Sequence, residues 1–115
     1  MNVNVTNSTA WLILFGAGLL EIVWSISMKA SDGYTRLPYT ALTIAAAGLS
    51  FWLLGLSLKA LPVGTAYAVW SGIGAVGATV LGIAIFGEPA NLARLGCIAL
   101  IVLGILGLKL TSGYS

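Results

Sequence analysis

Long apolar runs alternate with short polar breaks along this chain, and the alternation predicts where its elements begin and end. A polar tail over residues 1–9, rich in Asn, Thr and Ser, leads into a first apolar run over about residues 10–28. The break that follows, residues 29–37, carries Asp32-Gly33 as a turn signal. A second run covers about 38–58 and opens on Pro38, a residue suited to the first turn of a helix. Residues 59–62 make a tight connection to a third run over about 63–86. Pro89 then bars helix continuation, Asn91 is a cap for the next helix, and the fourth run covers about 92–110, with a short tail over 111–115. Each run is close to the ~20 residues that a helix needs to cross the ~30 Å hydrocarbon layer of a bilayer. A soluble four-helix bundle would carry a polar stripe on every helix, and these runs have none. The pattern predicts an all-α integral membrane protein, one transmembrane domain of four helices over residues 10–110.

Composition strengthens that expectation. Of 115 residues, 59% are apolar and only 7% charged, against about 25% charged in an average soluble domain. The length leaves no room for a second domain. A net charge of +2, scattered along the chain, does not suggest a nucleic-acid partner. There is no histidine, and Cys97 stands alone in an apolar run, so neither a disulfide framework nor a metal site is expected, and no cofactor is implied. The tail lacks the basic residues of a signal peptide and the run after it is too long for one, which makes the first run a permanent helix. The glycosylation triplets Asn4-Val5-Thr6 and Asn7-Ser8-Thr9 lie too close to that helix to carry weight. Gly72-Ile73-Gly74-Ala75-Val76-Gly77 spells a dinucleotide fingerprint, but it lies inside a spanning run with no preceding strand. Close helix packing and a pliable kink in helix 3 at Gly72 and Gly74 explain it better.

Charge also bears on topology. An even number of spans puts both termini on one side, with Lys59 and Lys109; Lys29, Arg36 and Arg94 fall on the other. So weak a bias leaves one fixed orientation and dual insertion both open. Four helices hardly enclose a cavity with two gates, and that shortage favours an antiparallel, dual-topology homodimer, a two-chain counterpart of inverted transporter repeats. Helix 4 has no polar residue at its centre, and its small residues, Gly104 and Gly107 among them, suit dimer packing.

One residue stands out chemically. Glu21 lies about eleven residues into the first run, ~16 Å deep and close to the bilayer midplane. An ionisable group at that depth is costly and points to function. No basic residue sits at comparable depth to pair with it. A desolvated carboxylate can hold a proton or a cation but hardly both, which is the simplest basis for exchanging one for the other. Ala17, Gly18, Trp24 and Ser25 share its helical face. Helix 3 carries Tyr67 and Trp70 one turn apart, and aromatic faces attract cations while their polar edges orient carboxylates. Helix 2 carries Thr43, Ser50 and Ser57 on one face, Ser50 deepest.

These residues resemble those of a known family. The four spans, the Glu in helix 1, Gly64-Thr65-Ala66-Tyr67-Ala68-Val69-Trp70-Ser71-Gly72-Ile73-Gly74 in helix 3 and Lys29-Ala30-Ser31-Asp32-Gly33-Tyr34-Thr35-Arg36-Leu37 in the first loop are similar to the small multidrug resistance family. Within it, Glu21-Ile22-Val23-Trp24, Gly64-Thr65-Ala66 and Gly74-Ala75-Val76-Gly77 followed by Gly87-Glu88-Pro89 resemble the guanidinium exporters. The resemblance implies an antiparallel homodimer in the bacterial inner membrane that exports guanidinium-type cations in exchange for protons. It implies that Glu21 binds substrate or proton, that Trp24, Ser50 and Trp70 orient its carboxylate, that Tyr67 lines the pocket and that Gly18 keeps the helix 1 face open. Ala45-Ala46-Ala47-Gly48 departs from the bulkier aliphatics often found there, and would widen an opening to lipid for tailed guanidines. A quaternary-ammonium exporter and a non-transport membrane subunit are the alternatives. The Trp three residues after the Glu disfavours the first, and the aromatics grouped with the carboxylate disfavour the second.

Overall fold

The computed structural model describes residues 6–111. Within them lie α1 (Asn7–Ala30), α2 (Leu37–Ser57), α3 (Val63–Phe86) and α4 (Leu92–Thr111). All are long and apolar enough to cross a membrane, with mean hydropathy from 1.6 to 2.1. Asn4 and the residues after Thr111 lie outside the described range, so most of both tails does too.

Local chemistry sets the helix ends. α1 starts three residues ahead of the apolar run because Thr6 is its cap: the Thr6 Oγ1 accepts the Thr9 N–H at 3.2 Å. Asn7, Ser8 and Thr9, which read as tail, form its first turn. At the other end the Ser31 N–H reaches the Ser27 carbonyl at 2.9 Å, carrying the helix past Met28. The chain then reverses through left-handed backbone at Asp32, Gly33 and Tyr34 (φ 50°, 68° and 68°), with the Tyr34 N–H held by the Ser31 hydroxyl at 3.0 Å. Gly87 ends α3 at φ 67°, where a side chain would be strained. Asn91 caps α4 by accepting the Arg94 N–H at 2.8 Å.

α1 is the hub. It packs along α2 and α3, α4 rests on α3, and α2 and α3 barely meet. Cα extents of 40 × 38 × 16 Å describe a slab, not a closed two-by-two bundle. Small residues draw the helices together. A Cβ at Gly18 would lie 2.7 Å from Ile73 Cγ2, one at Gly77 would strike Ile22, and one at Gly72 would lie 2.7 Å from Ile105 Cδ1. The polar face of α2 seals the α1–α2 seam. Thr43 and Ser27 share a buried hydrogen bond of 2.8 Å, and the Ser50 hydroxyl donates to the Ala17 carbonyl at 2.7 Å. Hydroxyls satisfied in this way hold helices together where lipid supplies no hydrophobic drive. α4 contributes no buried residue, and a Cβ at Gly104 or Gly107 would touch nothing.

Candidate cation and proton site

Glu21 sits in α1 about two and a half residues past its midpoint, or ~4 Å along the axis. Its carboxylate lies against Gly74 at the centre of α3, in space that any Cβ there would occupy. The Oε1 is buried and has no hydrogen-bond partner among the described residues. Lys29 and Arg94 pair with Glu88 instead, each at 3.1 Å. Glu21 Oε1 is thus a buried acceptor to which none of the described residues supplies a cation or a donor. Buried polar atoms of this kind are uncommon, and a bound proton, water or cation would satisfy this one.

The remaining expected residues fall into two groups. Gly18 joins Glu21 on the α1–α3 seam, packed against Ile73. Ser50, Trp70 and Tyr67 lie along α2 and α3. The Trp70 Nε1–H donates to Ser50 Oγ at 2.9 Å, and the fully buried Ser50 passes its own proton to the Ala17 carbonyl. Ser50 and Trp70 therefore orient each other and the α1 backbone in this conformation, rather than the carboxylate. The hydroxyl has one proton, and the Ala17 carbonyl takes it at an ordinary hydrogen-bond distance. Tyr67 packs against Trp70 with the rings tilted by 45° and centroids 5.6 Å apart, and it is 58% exposed. The Trp24 Nε1, like Glu21 Oε1, is buried without a partner. Gly72 and Gly74 are both buried, and α3 runs through them as one helix from Val63 to Phe86. Gly72 seats Ile105 of α4 and Gly74 seats the Glu21 carboxylate.

Two features escape a reading of the sequence. Phe51 bridges the aromatics, 6.4 Å from Trp24 and 5.5 Å from Trp70, so a ladder of rings runs from α1 across α2 to α3. Its adjacency to Ser50 was the available signal. The other is the Lys29–Glu88–Arg94 cluster, which ties α1 to the α3–α4 loop. Hydrogen bonds from Lys29, then from Arg94, hold the Glu88 carboxyl below its usual value of 4.5. Gly82 gives that carboxylate its space, as Gly74 does for Glu21.

Known proteins are similar to this chain in sequence. The family model described as Small Multidrug Resistance protein matches residues 9–101. A protein named Guanidinium exporter from Proteus vulgaris is 54% identical over 103 residues, covering 90% of this chain and 99% of its own length. The Guanidinium exporter of Escherichia coli (strain K12) is 54% identical over 103 residues, covering 90% of this chain and 98% of its own. That of Yersinia pestis is 53% identical over 103 residues, with shares of 90% and 99%. With four membrane-capable helices and a match over most of its length, this multi-pass membrane protein belongs to the small multidrug resistance family of transporters.

Proposed function

We propose that this chain exports guanidinium and small substituted guanidinium cations in exchange for protons, with both ligands competing for Glu21. The observation that carries the proposal is the buried, unpartnered Glu21 oxygen at mid-depth of α1. A guanidinium is planar and gives a carboxylate two parallel hydrogen bonds, which a quaternary ammonium cannot do. The indole of Trp24 leaves room for a flat cation better than for a bulky one. The relatives named Guanidinium exporter support the same substrate class.

The working unit is an antiparallel homodimer in the bacterial inner membrane. A slab 16 Å thick in Cα extent, with one helix that has no buried residue, supports the reading that a second copy completes the chamber. Gly104 and Gly107 offer a close-packing surface on α4 for the second copy. Two carboxylates in one chamber would titrate as a pair. Gly72 and Gly74 make α3 pliable enough for the two copies to bend differently. The test is the purified chain in proteoliposomes. An imposed proton gradient should drive guanidinium uptake, and Glu21→Gln should abolish it. Absence of uptake by the wild type would overturn the proposal, and movement of quaternary ammonium cations alone would transfer the site to the multidrug class.

A further inference from the structure

The seam between α1 and α3 is tight along one stretch and loose along the next. In the tight stretch Gly18 seats Ile73, Gly74 seats the Glu21 carboxylate and Gly77 seats Ile22. One turn further on, the seam opens into a cleft of about 180 Å³ between Ser25 and Ile26 of α1 and Ala78, Thr79 and Gly82 of α3. Most side chains here are small. The two hydroxyls turn back to their own helices rather than across the cleft, Ser25 donating to the Ile22 carbonyl at 3.0 Å and Thr79 to the Ala75 carbonyl at 2.8 Å.

A bridge stands at the far end of the cleft, and Lys29 makes it. Its ammonium donates to the Glu88 carboxylate at 3.1 Å and lies 5.3 Å from the centroid of the Phe86 ring. Both contacts join α1 to the end of α3. The other leg of the cluster differs in kind. Arg94 donates to Glu88 at 3.1 Å and to the Pro89 carbonyl at 2.9 Å, so it lies within the turn that joins α3 to α4 and travels with it. A movement of the end of α3 away from α1 therefore keeps the Arg94 leg and breaks the Lys29 leg. The lever is long enough for this. Phe86 lies nine residues past Gly77, ~14 Å along the axis. A bend of ~20° in the stretch from Gly72 to Gly77 carries it by ~5 Å, which takes a hydrogen-bonded pair apart.

We propose that the Lys29–Glu88 ion pair is a latch on α3, closed in this conformation and open when α3 bends. The latch has this role only in the exchanger proposed above, an antiparallel dimer whose copies bend differently. In such a dimer one copy has its latch closed and the other open, and the two trade roles each time the site changes sides. The trade passes through a state with neither latch closed, so the ion pair slows it. The Lys29 side chain is 56% exposed, and water weakens the pair. A pair of this sort is worth about a two- to fivefold change in rate.

NMR exchange spectroscopy of the full chain in bicelles reads the rate at which the two copies trade conformations. Lys29→Gln and Glu88→Gln should each speed the trade by about two- to fivefold, and the double variant should go no faster than Glu88→Gln alone. Lys29→Arg should keep the wild-type rate. Added salt should speed the wild type and leave Lys29→Gln unchanged, since salt screens an exposed pair. An unchanged rate in Lys29→Gln, or gains that multiply in the double variant, overturns the latch alone. A wild type that shows one conformation overturns the alternating dimer and the latch with it, so the two failures are told apart.

Discussion

Gly74→Ala is the smallest change that reaches the Glu21 carboxylate without touching it chemically. The added methyl would clash with the Glu21 Oε1 and lie 2.7 Å from its Cγ, where ordinary contact begins at 3.4 Å. α3 packs on α1 through Gly74, so the backbone has little room to yield, and the side chain must leave its seat. Overpacking of this kind costs ~1–3 kcal/mol, which is ~5- to 150-fold in affinity if it lands on the site. Titration calorimetry of guanidinium binding to the purified protein reads the loss directly. Gly77→Ala is the control, because its methyl crowds Ile22 on the same seam and meets no carboxylate. Both variants should lower Tm, but only Gly74→Ala should weaken binding. Guanidinium affinity in Gly74→Ala equal to that of the wild type, or an equal loss in Gly77→Ala, would refute the placement of Glu21 against α3.

Other variants probe the supports around the site. Ser50→Ala leaves the Trp70 N–H and the Ala17 carbonyl without their partner, and should destabilise the fold by ~1–3 kcal/mol, visible as a lower Tm in detergent. Glu88→Gln should remove the tie to Lys29 and Arg94. Because the Glu88 carboxyl is held below its usual value, its stabilisation is present above pH 4.5 and is lost as pH falls through the lowered value. The Tm difference between wild type and Glu88→Gln should therefore be full at neutral pH and close in acid. Ala47→Met narrows the α2 flank and should reduce transport of alkylated guanidines while sparing guanidinium itself; equal transport of both would dismiss the lipid-side opening.

Hydropathy runs carried the four helices and their order because length and apolarity are local properties. The ends of α1 were harder to place. Thr6 becomes a cap only through a bond to Thr9, and the apolar pattern is blind to three polar residues in a first turn. Depth marked Glu21 from the sequence, since eleven residues of helix can be counted. Its seat against Gly74 was not legible, because that depends on how α1 and α3 register, and glycine spacing has several readings. Ser50 and Trp70 could be assigned to the site but not to each other, as the sequence does not say which acceptor the indole N–H of Trp70 will meet. The Lys29–Glu88–Arg94 cluster joins residues 59 positions apart, and no pattern of charges predicts which end of which helix meets which.

The central claim is that one carboxylate holds either a proton or the cation. Guanidinium affinity measured against pH, with proton release counted in unbuffered solution, tests it most directly. The account predicts that binding releases protons and that affinity falls by about tenfold per pH unit once Glu21 is protonated, with both effects absent in Glu21→Gln. Guanidinium binding that is independent of pH and releases no proton would contradict it.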